Sequence, residues 1–147
     1  MGLVWSGLIV QWLLAQGLPS VWWVPDLLAI GLVIGVVRQP GRWLECSMVA
    51  GLGAMVWAIR HPALTALAYV SIGGIVRAAG WRWDLTDRRL QAELAFLAAA
   101  LSAGPALWVD GLWSAPAAWR WLLRASVTGL AAWMVTAPRA WRSWPRG

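Results

Sequence analysis

Apolar stretches run almost end to end through this chain, and that pattern constrains it more than any other. They cover residues 3–18, 21–37, 43–59, 63–79, 90–109 and 117–137, and turns rich in Pro, Gly and Arg separate them. Runs of 16 to 21 apolar residues approach the length a helix needs to cross a hydrocarbon core of about 30 Å. Backbone polar groups in lipid must pair within their own segment, which predicts α-helices. A β-barrel would show stretches of about ten residues with alternating polarity, and nothing here alternates.

Composition agrees. Hydrophobic residues are 61% of the 147 and charged residues 12%, against about 25% charged in ordinary soluble domains. So few charges cannot cover the surface of a small soluble globule, and so apolar a chain is not disordered. The reading is one all-α integral membrane domain over residues 1–147, a compact bundle of six transmembrane helices with five as the fallback. A basic tail follows at residues 138–147. The weakest span is the second. Pro25-Asp26 interrupts it, and its unbroken part, residues 27–37, covers only about 16 Å. Residues 3–14 lack the positive leader of a secretion signal and read as a retained first membrane helix.

All 12 basic residues are arginine, set against six acids. They lie between apolar runs, as membrane anchors do, rather than on a solvated face that would read nucleic acid. With six spans, Arg38, Arg42, Arg77, Arg82, Arg88, Arg89, Arg139, Arg142 and Arg146 share one side. Arg60 and Arg120 take the other, with Arg124 near them. The positive-inside rule then puts both termini in the cytoplasm, with Arg38, Arg42, Arg82, Arg88, Arg89, Arg139 and Arg142 as cytoplasmic anchors.

The 15 tryptophans gather at segment ends and read as interfacial belts; only Trp12 and Trp133 lie deep. Should they line a pocket, the candidates are Trp22, Trp23, Trp57, Trp108 and Trp113 on the outer side. Catalysis needs a nucleophile, base or metal cluster within mutual reach. The chain has one His and one Cys, and none of the HExxH, GxSxG or GxxxxGK[ST] motifs. No enzyme, metal or cofactor is expected. Cys46 alone excludes an internal disulfide. His61 reads as a solvated loop residue. Glu45 and Glu93 lie near the cytoplasmic boundary, where Arg42 and Arg89 are their natural partners. Asp26 stands where a helix cap is needed, and Arg124 has Asp110 or Asp26 as candidate partners. Gly31 and Gly35 form the one clean GxxxG, a spacing that lets helices approach closely in lipid.

Several segments together resemble the MreD family, small polytopic membrane proteins that determine rod shape in bacteria. They are Val24-Pro25-Asp26-Leu27-Leu28, the basic turn Arg38 to Arg42, and Gly51-Leu52-Gly53. His61-Pro62, Ala66-Leu67-Ala68-Tyr69 with Gly73-Gly74, and Leu90-Gln91-Ala92-Glu93-Leu94 complete the set. The resemblance covers nearly the whole chain. It implies a non-enzymatic part of the cell-elongation machinery in the bacterial inner membrane. Such a protein binds the bitopic protein MreC and helps control peptidoglycan synthesis by RodA and its transpeptidase partner, above the MreB filament. It also implies a fold like the substrate-binding subunits of energy-coupling-factor transporters. A vitamin-binding subunit of such a transporter is the alternative function, although the first apolar run lacks the AxxxA by which those subunits commonly dock. Under the first reading the expected MreC contact is the second helix, through Gly31 and Gly35, with Trp22, Trp23 and Asp26 at its outer end.

Overall fold

The computed structural model describes residues 9–10, 25–56, 61–111 and 114–136, and they are helical with short connections. Ile9 and Val10 are helical. Five longer helices follow: α1 (Leu27–Arg38), α2 (Trp43–Met55), α3 (Pro62–Ala79), α4 (Arg88–Val109) and α5 (Ala115–Val135). A single 3₁₀ turn, Pro40–Arg42, joins α1 to α2.

Local chemistry sets most of the boundaries. Asp26, Asp87 and Ser114 take extended backbone and cap α1, α4 and α5, each side chain accepting a free first-turn N–H. Pro62 opens α3 at a position where its missing N–H is no loss. The observed ends fall within about two residues of the sequence expectation for α3, α4 and α5. The second run differs: its helix begins at Leu27, because Asp26 caps it there. Residues 1–8, 11–24, 57–60, 112–113 and 137–147 lie outside the described residues, and with them Trp22, Trp23, Trp57, Arg60, Trp113, Arg139, Arg142 and Arg146.

Successive helices pack antiparallel. Trp43, at the start of α2, lies against Gly73 and Gly74 late in α3, while Gly51 meets Ala66 near the start of α3. Arg88 at the start of α4 reaches the Trp133 carbonyl near the end of α5. This gathers Arg38, Arg42, Arg77, Arg82, Arg88 and Arg89 at one end of the bundle, as the sorting by loops expected. Arg120 lies at the other end.

Among the described residues, α1 touches each of the four other longer helices. Every residue from Leu28 to Val36 is buried. A helix that is apolar all round has no preferred outer face and is stable only when surrounded. Around it the core is mostly small residues, Ala95, Ala98, Ala99, Ala125 and Ala132 among them, with Tyr69, Ile72, Val76 and Leu94 as the larger members. Large apolar side chains point outward instead: Leu52, Leu67, Leu97 and Leu130 are about half exposed. Small residues between helices and large ones outside is how helices pack in lipid. A soluble monomer of this size does not expose so much continuous apolar surface.

Among the described residues two helices, Pro62–Ala79 and Arg88–Val109, are long and apolar enough to cross a membrane. Helix α5 matches them in length, at about 32 Å, but carries Arg120 and Arg124. Exposed tryptophans mark both ends, Trp81 and Trp83 with the arginines, Trp108 and Trp119 opposite. This is the arrangement of interfacial belts. Trp133, placed deep by its position in the sixth run, is two residues from the end of α5 and partly exposed beneath Arg88.

Candidate functional site

The most polar point of the interior is Asp26, at the positive end of α1. Its Oδ1 accepts the Ala29 backbone N–H at 3.0 Å. A carboxylate here satisfies an orphan helix donor and meets the helix dipole favourably. The Tyr69 hydroxyl of α3 donates to the same carboxylate, at 2.9 Å from Oδ2 and 3.1 Å from Oδ1. From α4, the Ser102 hydroxyl lies 3.1 Å from Oδ2 and 3.0 Å from the Ala99 carbonyl, and its one proton serves either. From α5, Arg124 Nη2 stands 3.5 Å from Oδ2. The Asp26 backbone N–H donates to Thr128 Oγ1 at 2.8 Å, and the Thr128 hydroxyl donates to the Arg124 carbonyl at 2.8 Å.

Four helices therefore meet on one residue that is only 2% exposed. Tyr69 lies seven residues from the start of α3, Ser102 seven from the end of α4 and Arg124 nine from the start of α5. At 1.5 Å per residue the cluster sits about 10–14 Å inside the bundle from the end opposite the arginines. At that depth an ionisable side chain is expensive unless it is paired, and is a functional candidate by default. The arrangement explains how α1 can be short. It starts inside the bundle, and Asp26 with its partners replaces the water its first turn lacks.

Sequence reasoning found the cap and named Asp26 as one of two partners for Arg124. It missed Tyr69, Ser102 and Thr128. The only signals were that Tyr69 is the single tyrosine in the chain and that Thr128 lies one turn after Arg124. Asp110 is paired elsewhere: its Oδ1 lies 2.8 Å from His61 Nε2. The pair ties the start of α3 to the end of α4 and is partly buried, which corrects the expectation of a solvated His61. Trp121, by donating Nε1–H to the Ala100 carbonyl at 2.9 Å, fixes α5 against α4 just above the cluster.

The other candidates divide. Gly31 and Gly35 are buried within the bundle, so both serve packing inside the chain and offer no open face to a partner. That corrects the expected contact surface. Arg38, Arg42, Arg82 and Arg89 are exposed, as anchors should be. Arg42 lies 3.9 Å from Glu45, the expected pair. Arg88 is half-buried and lies over the Trp133 ring at 4.4 Å. Glu93 forms no ion pair with Arg89. Among the described residues no group of three His, Cys, Asp or Glu side chains is placed to hold a metal.

Comparison with known proteins gives one partial likeness. Over 93 residues the chain is 33% identical to heme A synthase of Cereibacter sphaeroides, a membrane protein. The match takes in 63% of this chain, which spans 22% of the length of that curated relative. No protein-family profile matches the chain. No solved structure matches it either.

Proposed function

We propose that this protein is a membrane-embedded, non-enzymatic component of the bacterial cell-elongation complex. It lies with its arginine-rich end in the cytoplasm and holds MreC, through which it acts on RodA and its transpeptidase partner. The observation that supports this reading most is where the MreD-like segments lie. Pro25-Asp26-Leu27-Leu28 forms the central cap, and Tyr69 binds it. Gly51 and Gly73 stand at the closest approach of α2 and α3. The residues that carry the resemblance are those on which this architecture depends. Depletion in a rod-shaped host is expected to round the cells, and tagged full-length protein is expected to recover MreC. Rods that persist on depletion, with no MreC recovered, would reject the reading.

The identity to heme A synthase favours a second reading, a haem-handling membrane enzyme. An absorption spectrum separates the two. A Soret band in protein purified from haem-replete cells would favour the second, because haem iron bound by His or another axial ligand is strongly coloured.

A further inference from the structure

On the outer surface, α4 and α5 form an open, shallow groove of about 630 Å³. Phe96, Leu97, Leu130 and Trp133 form its apolar walls, with Ser126 between them and Glu93 at the arginine-rich end. The floor is rigid. A Cβ on Gly129 would lie 3.1 Å from Phe96 Cβ and 3.2 Å from the Ala92 carbonyl oxygen, so the two helices already touch beneath it. At the far wall Arg88 lies over the Trp133 ring and donates to the Trp133 carbonyl at 3.2 Å. Among the described residues Glu93 is the one ionisable side chain in the lining; it is exposed, and it has no ion pair with any of them.

An acyl chain would satisfy the apolar walls and leave that carboxylate without a counter-charge. Glu93 is five residues into α4, about 7 Å along it, where a lone charge facing lipid is costly. A single-span helix brings what is missing, because its cytoplasmic end carries Lys or Arg. We propose that the α4–α5 groove seats the transmembrane helix of a single-span partner, with a basic side chain of that helix paired to Glu93. This rests on the reading above, in which the partner is MreC, and it replaces the buried Gly31 and Gly35 with a surface that is open.

The test uses the full chain in native membranes, with a photo-cross-linking amino acid placed at Leu97, at Leu130, or at Leu67 on the far side of the bundle. Adducts with MreC are expected from Leu97 and Leu130 and not from Leu67. Glu93→Lys is expected to lower recovered MreC about tenfold or more, and reversing the partner's basic residue to Glu should restore it. Should Glu93→Lys aggregate, Ser126→Trp, which fills the groove without changing charge, carries the same expectation. Adducts with lipid alone, adducts with a second copy of the chain, or full recovery of MreC by both variants would overturn the groove. If the unsubstituted chain recovers no MreC, the functional reading itself fails, before any substitution is made.

Discussion

Asp26 joins a local requirement to a long-range one. The cap is local: a carboxylate three residues before the N–H it accepts is visible in the order of the amino acids. Its other partners, Tyr69 and Ser102, lie 43 and 76 residues away along the chain. Only the packing of α3 and α4 brings them in, and a hydroxyl within an apolar run does not announce its partner. Removing Asp26 strips the cap and leaves Arg124 uncompensated. Asp26→Ala is therefore predicted to cost about 3–5 kcal/mol. Asp26→Asn, which keeps an acceptor, should cost less, and Tyr69→Phe about 1 kcal/mol. The exposed Glu45 gives the contrast, with Glu45→Gln changing stability by no more than about 0.5 kcal/mol. Reversible unfolding in micelles checks the order, which fails if Glu45→Gln is as damaging as Asp26→Ala. In the loop before α4, Asp84 Oδ1 accepts the Thr86 hydroxyl at 2.7 Å and the Thr86 N–H at 2.9 Å. These bonds, the hydroxyl first, hold the Asp84 carboxyl below its ordinary range. A lowered carboxylate steadies the loop above its ordinary pKa, and that contribution is lost as pH falls through the lowered one. Thr86→Val should raise the Asp84 titration in an NMR experiment; an unchanged midpoint would contradict the assignment.

At the scale of the elements, two adjacent glycines in α3 make different demands. A Cβ on Gly73 would collide with Ser47 Oγ and lie 3.0 Å from Ser47 Cβ. The same atom on Gly74 meets nothing nearer than the Trp43 ring at 3.7 Å. Gly73→Ala is predicted to destabilise by about 1–3 kcal/mol through overpacking. Gly74→Ala should be neutral or stabilise by up to about 1 kcal/mol through helix propensity. Equal melting points for the two variants would disprove this account of the α2–α3 contact. The sequence showed that helices exist and roughly where α3, α4 and α5 end, because Pro, Asp and Ser at their starts act through neighbouring atoms. It did not show that α1 is the central helix. A segment apolar on every side, such as Leu28 to Val36, is as consistent with lipid as with a protein interior. The same ambiguity led to Gly31 and Gly35 as a partner surface, while the α4–α5 groove needs two helices in register before it exists.

For the molecule as a whole, the telling features are the large apolar side chains on its outer faces and the uneven charge at its two ends. Around the apolar central helix, alanine and glycine fill many of the contacts, while leucines such as Leu67, at 63% exposed, face outward. Six of the eight described arginines gather at the end that holds Trp81 and Trp83. Both features fit a hydrocarbon layer around the bundle, and under the proposed function the arginine-rich end faces the cytoplasm. Cysteine labelling in sealed bacterial cells tests this most directly, and the native Cys46 is fully buried and should stay silent. The account predicts that Trp83→Cys is labelled by a membrane-impermeant thiol reagent only after the cells are opened. Ala115→Cys, at the other end, should be labelled in intact cells, and Leu67→Cys in neither. Labelling of Trp83→Cys from outside, or ready labelling of Leu67→Cys by the aqueous reagent, would contradict it.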